Sequence, residues 1–245
     1  MLIVSNKYRL AAVLLSKCAS TTATSVLARL HDLPVRARDR DVLDAIPKSA
    51  GRIDRTSDLI ALEQRRLVEA RETFPDYMWF SIVRDPYGRL RSNYHNKINR
   101  FCAAFRKDLY LRYKLAQALG GPAAWRDVRL AMPYLQARVS YGEFVQTLGE
   151  KGLDWDPHYR RQSDLLKLDE VDYTRLLRME TLQDDMVALL RDAGLPASRI
   201  AQMNDLGRLN NSRQEKMAGT DEDMTARPKV YDLYRDDFER LGYVQ

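Results

Sequence analysis

Two short stretches of this 245-residue chain carry side chains suited to gripping an anion. The first is Ser16-Lys17-Cys18-Ala19-Ser20-Thr21-Thr22. Its small residues let the backbone approach a ligand, Lys17 adds a full charge, and three hydroxyls add donors. If a helix starts near Ser20, its first N–H groups and the positive end of its dipole point at the same place. The chemistry fits a phosphate or sulfate. It differs from the glycine-rich phosphate loop, because no glycine precedes Gly51 and Gly-Lys-Ser/Thr does not occur. A capped helix with a solvated Lys17 fits the same residues equally well.

The second stretch runs from Val83 to Lys97, Val-Arg-Asp-Pro-Tyr-Gly-Arg-Leu-Arg-Ser-Asn-Tyr-His-Asn-Lys. Arg84 follows a strand-like run, at the carboxyl end where open α/β sheets bind ligands. Its planar fork can hold a phosphate through two parallel bonds. Ser92 lies eight residues on, about two helical turns, and faces back only if the helix packs across the strand end. A helix with three exposed arginines and Asp85 as its cap is the plainer alternative. Together, one cradle and one strand-end arginine match two separate phosphates of a single nucleotide.

The surrounding pattern supplies elements to position them. Leu10 to Leu15 is a short apolar run bounded by charge, which predicts a buried strand. Ser20, Thr21 and Thr22 offer capping hydroxyls to a helix whose apolar face is Val26, Leu27 and Leu30. Leu59 to Phe74 reads as an amphipathic helix. Tyr77 to Val83 reads as a second strand, with a helix from Pro86 through Lys97 towards Tyr113. Tyr141 to Leu148, Leu182 to Ala193 and Asp223 to Leu241 read as helices, and Tyr173 to Met179 as a third strand. Alternation of strands and helices predicts an α/β fold with a central, mostly parallel sheet flanked by helices, as one domain over 1–245.

Composition sets outer limits. An apolar share of 45% and a charged share of 30% are those of a folded globular chain, not a disordered one. A net charge of +6 favours acidic partners without choosing among nucleotides, glycans, nucleic acid and membranes. Cys18 and Cys102 are too few for a disulfide framework, so a reducing compartment is expected. The run at Leu10–Leu15 is too short for a signal peptide core or a membrane span. The expected setting is a bacterial cytoplasm, with peripheral membrane association left open.

At these motifs the chain resembles the family 2 (carbohydrate-type) sulfotransferases. Their 5′-phosphosulfate loop, Pro-Lys-Cys-Gly/Ala-Ser/Thr-Thr-Ser, is similar to Ser16–Thr22, with Ser for Pro and Thr for Ser. Their 3′-phosphate motif, Val-Arg-Asp-Pro-x-x-Arg-x-x-Ser-x-Tyr-x-x-Lys, matches Val83–Lys97 at every fixed position. Asp156-Pro157-His158-Tyr159-Arg160-Arg161-Gln162-Ser163 resembles the family's His-Trp-Arg-Pro-Gln-Ser segment, with Tyr for Trp and Arg for Pro. Asp172-Tyr173 through Glu180-Thr181-Leu182, Asn210 to Ser212, and Tyr231 through Asp237 to Gly242-Tyr243 resemble further family stretches.

The resemblance implies a P-loop-like fold. It implies transfer of a sulfuryl group from 3′-phosphoadenosine 5′-phosphosulfate to a hydroxyl of a saccharide or glycoconjugate, without a metal. Lys17 would act on the 5′-phosphosulfate, with Cys18, Ala19, Ser20, Thr21 and Thr22 around it. Arg84 and Ser92 would hold the 3′-phosphate, and Ser212 and Arg213 would close over the adenosine. For the general base, His158 and Asp41 are the named candidates. Asp39, Asp44, Glu63, His31 and His95 stand beside them, with surface or packing roles as alternatives. Arg160, Arg161 and Lys97 fit either an acceptor cleft or solvated helix faces. Two other classes remain to be separated: an ATP- and magnesium-dependent phosphotransferase on the same fold, and a non-catalytic basic nucleic-acid-binding protein. No DNA- or RNA-reading motif supports the last.

Overall fold

The computed structural model describes residues 1–33, 46–49, 51–99, 139–202 and 221–244. Asp39, Asp41, Asp44, Cys102, Ser212 and Arg213 lie outside the described residues, as does the expected continuation of a helix towards Tyr113. The chain divides into two compact units. The first comprises Met1–Pro86, Arg160–Ala218 and Tyr234–Gln245; the second comprises Tyr87–Tyr159 and Gly219–Leu233.

The first unit is built on a five-stranded sheet. Its strands are β1 (Leu2–Ser5), β2 (Leu10–Val13), β3 (Leu59–Leu62), β4 (Met78–Val83) and β5 (Arg175–Arg178), in the order β3-β1-β2-β4-β5. β2 pairs in parallel with β4, and β4 with β5. β1 runs antiparallel to both β2 and β3. The sheet is therefore mixed rather than mostly parallel in its pairings. The difference comes from β1, a four-residue apolar strand joined to β2 by a tight loop, Asn6 to Arg9, with no glycine to announce it. Arg9 takes the left-handed conformation there (φ 52°).

β3 also corrects an expectation. Leu59–Leu62 is strand, and only Leu67–Thr73 (α2) is α-helix. All four residues Leu59, Ile60, Ala61 and Leu62 are buried. An unbroken apolar run of that length suits a strand covered on both faces, and the helical spacing read across it was coincidental. Four helices and the π-turn fall where the pattern puts them, α1 (Ser20–Leu30), α3 (Pro86–Asn93, followed by a π-turn over Tyr94–Asn99), α4 (Tyr141–Lys151) and α6 (Leu182–Asp192), as does α8 (Asp221–Leu241). The five-residue helices α5 (Gln162–Leu166) and α7 (Ala197–Ala201) are too short to have shown a period. α8 carries Pro228 and leaves helical angles at Tyr234 (φ −115°, ψ 22°). No helix among the described residues is long and apolar enough to cross a membrane.

The core of the first unit joins the sheet to α1 through Ala23, Val26, Leu27 and Leu30. It reaches α2 through Leu67 and Ala70, and α6 through Met186, Leu189 and Leu190. After β2 the chain goes to β3 on one side of the sheet, and after β4 to β5 on the other. The gap between the carboxyl ends of β2 and β4 is therefore the topological switch point, where sheets of this kind leave a crevice for ligands.

Candidate active site

Both anion-binding stretches begin at that switch point. Val13 pairs with Ser81, whose hydroxyl donates to the Val13 carbonyl (2.7 Å). Ser16 and Arg84 each lie three residues beyond that pair.

The first stretch is a turn with an unusual backbone. The Cys18 N–H donates to the Leu15 carbonyl (3.4 Å). Lys17 (φ 67°) and Ala19 (φ 51°) both sit in the left-handed region, which disfavours residues bearing a Cβ by about 1–2 kcal/mol each. Such strain persists where surrounding structure enforces it, and it clusters at ligand sites. Ala19 is the N-cap of α1 (ψ 29°), no side chain caps the helix, and the first turn holds no acid. The expected capping by Ser20, Thr21 or Thr22 hydroxyls is not what forms. Ser20 is already helical, and its carbonyl instead accepts from the Thr24 hydroxyl (2.9 Å). Thr21 is exposed, Thr22 is buried, and Lys17, Ala19 and Ser20 are half-buried. The helix thus presents its positive end beside a lysine, with small residues on the approach.

Arg84 is 8% exposed, and its Nη1 donates to the Lys17 carbonyl (3.3 Å). Burial pushes its guanidinium down from the ordinary arginine value, opposed by Cys18, Glu180, Asp85 and Tyr243. It stays a cation, since arginine does not deprotonate in proteins. The two motifs are therefore joined by a direct hydrogen bond, and a buried positive charge lies next to the α1 turn.

Several distant segments converge on this pair. Gln162, fully buried, accepts from the Arg84 N–H (2.9 Å) and donates to the Arg84 carbonyl (2.7 Å). The buried Cys18 thiol donates to the same Gln162 oxygen (3.2 Å). Asp237 accepts from the Gln162 N–H, the Ser163 N–H and the Ser163 hydroxyl, all at 2.8 Å. Asp85 N–H donates to Glu180 (3.0 Å), which also accepts from the Tyr243 hydroxyl (3.0 Å). Burial first, and then Glu180, push that phenol up, so it remains a donor. Arg178 stacks on the Tyr243 ring at 4.6 Å and donates to the carbonyls of Leu241 (3.1 Å) and Gly242 (3.0 Å). The sequence had singled out Gln162, Glu180, Asp237 and Tyr243 only as parts of resembling stretches, with no role assigned. Hydrogen bonds between residues 78 apart leave no periodic trace in a sequence.

The second unit holds Ser92 and His158. Ser92 is half-buried on α3, and its carbonyl accepts from the Asn96 amide (3.4 Å). His158 contacts Asp156 twice, its N–H at 2.7 Å and its ring Nδ1 at 2.6 Å from the same carboxylate oxygen. Its carbonyl accepts from Asn93 (2.8 Å) and Arg89 (3.2 Å), both fully buried. Partial burial works to raise the Asp156 carboxyl, but the bonds from His158 and the charge of Lys97 hold it below its ordinary value. In the same unit Phe144, Tyr141, Tyr94 and Tyr159 pack ring against ring.

The other candidates have these surroundings. His31 is the C-cap of α1, bonded through Nε2 to the Ser5 hydroxyl (2.8 Å) and edge-on to Tyr8. His95 is half-buried against Tyr94, and Glu63 is exposed and paired with Arg65. Arg161 pairs with Asp236 (3.3 Å), while Arg160 and Lys97 are exposed.

Comparison with known proteins agrees with the motifs. The family model described as "Sulfotransferase family" matches residues 1–244. Carbohydrate sulfotransferase 10 of Xenopus laevis is 24% identical over 250 residues, covering 98% of this chain and 66% of that protein. The chain thus spans about two thirds of that relative's length. No solved structure matches. The chain belongs to sulfotransferase family 2, the group that its anion-binding motifs resemble.

Proposed function

We propose that the protein transfers a sulfuryl group from 3′-phosphoadenosine 5′-phosphosulfate to a hydroxyl of a saccharide or glycoconjugate, as a single sulfotransferase domain on a P-loop-like sheet. The observation that carries this reading is the hydrogen bond between Arg84 and the Lys17 turn at the switch point of the sheet. One small molecule with two anionic groups can engage an uncapped helix start and a buried arginine at once. Family membership and the name of the Xenopus laevis relative support both the reaction and the acceptor class.

The residues fit such a donor. When bound, it supplies the activated sulfuryl group. The Lys17 ammonium and the α1 N-terminus stabilise negative charge growing on the phosphate side of the breaking bond, the work that preorganised cations and amides do best in a dry site. Cys18 and Ala19 leave room for the backbone to approach, with Ser20, Thr21 and Thr22 as hydroxyl donors at the same helix start. Arg84 takes the 3′-phosphate, the group that separates this donor from ATP; Ser92, Ser212 and Arg213 enter through the motifs alone. For the base the reading takes His158 before Asp41. Asp156 fixes the His158 ring through Nδ1, which leaves Nε2 as the atom to accept the acceptor's proton.

Calorimetry tests the donor. Adenosine 3′,5′-bisphosphate should bind more tightly than ATP with magnesium. Equal affinity would count against the 3′-phosphate clamp, and preference for ATP with magnesium would favour a phosphotransferase. A screen of glycan acceptors with labelled sulfate donor then tests the acceptor class, and labelling of no glycan would remove it.

A further inference from the structure

We infer that Gln162 is a positioning residue of the anion site: its amide sets the Arg84 main chain and ties it to the Cys18 turn. The inference rests on the reading of Arg84 as the 3′-phosphate ligand.

The sheet ladder on β4 ends at Val83, paired with Arg178. The next residue, Arg84, finds both its main-chain partners in one side chain, with N–H to Oε1 at 2.9 Å and Nε2–H to the carbonyl at 2.7 Å. The Gln162 amide thus acts as a substitute strand neighbour where the chain turns out of the sheet. Arg84's backbone angles, and with them the starting direction of its guanidinium, are held by that pairing. The task needs a donor and an acceptor on one planar group. Ionised glutamate lacks the donor, and methionine lacks the donor and offers only a weak sulfur acceptor. Oε1 also accepts from the Cys18 thiol at 3.2 Å, so one amide touches the strand-end arginine and the α1 turn together.

Gln162 is itself held. It opens α5, and Asp237 on α8 takes the N–H groups of Gln162 and Ser163 and the Ser163 hydroxyl, all at 2.8 Å. Gln162, Ser163 and Asp237 are each 0% exposed. A buried amide with its donor and acceptor both engaged keeps one orientation, because any other would orphan a polar group. All these residues belong to the first unit, so the chain from Asp237 through Gln162 to Arg84 and Cys18 is continuous within it.

The test reads discrimination rather than stability. Affinities for adenosine 3′,5′-bisphosphate and adenosine 5′-phosphate are measured on the full chain, with thermal midpoints alongside. In Gln162→Met the preference for the bisphosphate should fall at least tenfold, with the 5′-phosphate affinity changed far less. Gln162→Glu keeps the acceptor and loses the donor to the Arg84 carbonyl; it should lose at least threefold of the preference, and it decides the matter if the methionine variant does not fold. A lowered midpoint with the preference intact, or both affinities falling equally, overturns the inference and leaves Gln162 as a packing residue. A wild-type chain that shows no preference overturns the Arg84 reading, and this inference with it.

Discussion

Two helices of this protein solve the same physical problem in opposite ways. Every helix begins with N–H groups that have no partner inside it. α4 closes its own start: the Ser140 hydroxyl accepts from the Glu143 N–H (3.2 Å), and Glu143 reaches back to the Ser140 N–H (2.8 Å). Those bonds hold the Glu143 carboxyl below its ordinary value. α1 has no side-chain cap and no acid in its first turn, and it starts from an alanine in the left-handed region. Three hydroxyl residues stand next to the position that would have closed it, yet none serves as N-cap. A helix that satisfies its own terminus has little to offer an anion. Under the proposed function, one that starts from a strained turn beside Lys17 and Arg84, with neither a side-chain cap nor an acid in its first turn, keeps its dipole for the ligand.

Substitutions can break the contrast. The largest effect is expected from Lys17→Ala, which should cut turnover by about 10²–10³-fold, the range for losing one preorganised electrostatic group. Affinity for adenosine 3′,5′-bisphosphate should drop much less, since the lysine acts on charge that grows in the transition state. Equal losses in both would make Lys17 a ground-state ligand. Arg84→Ala comes next, weakening the same ligand by about 1.5–3 kcal/mol, as for a charge-assisted bond. An unchanged dissociation constant removes Arg84 from the site.

The next two changes are reciprocal. Ala19→Asp brings a carboxylate to the α1 start. It should leave stability unchanged or raise it by about 0.3–1 kcal/mol through the dipole, while nucleotide affinity falls at least tenfold. Ser140→Ala removes the α4 cap and should cost about 1 kcal/mol of stability, with nucleotide affinity unmoved. Urea unfolding and calorimetry on both variants read the two columns. Loss of nucleotide affinity in Ser140→Ala, or retention in Ala19→Asp, would erase the distinction between the two termini.

Legibility in the sequence follows the range of the forces involved. α6 was readable because burying one face imposes a period on neighbouring residues, α1 from its apolar spacing after a hydroxyl-rich turn, and β4 as an aromatic and β-branched run ended by Asp85-Pro86. Lys17 and Arg84 were readable as well, since a cation beside small residues at a strand end is a local pattern. β1 and β3 were not: each is a four-residue buried strand, β1 joined to β2 by a loop without glycine and β3 followed by residues whose apolar spacing continues into α2. The Ala19 cap escaped because nothing in its residue type predicts a left-handed backbone. Gln162, Glu180, Asp237 and Tyr243 were invisible as site-builders because their partners lie 63 to 144 residues away in the chain. Motif resemblance pointed to these segments, and only the fold assigns them contacts.

The far end of α1 extends the comparison and carries the smallest effect. A helix C-terminus by itself favours a cation, yet the surroundings of His31, at the C-cap, disfavour the charged ring. Burial lowers its proton affinity from the ordinary value of 6.5, and Lys7 lowers it further, against opposing pulls from Asp58 and Asp32. The unfolded chain therefore binds a proton at His31 more readily than the folded one. Stability from this group is complete above about pH 6.5 and is lost as pH falls through the lower folded value. His31→Gln cannot take up that proton, and its amide can still meet the Ser5 hydroxyl. Urea midpoints at pH 7.5 and pH 5 should therefore separate more for the wild type than for the variant. Equal separations would mean that the Ser5 bond, and not the charge state of the ring, is what α1 requires at this end.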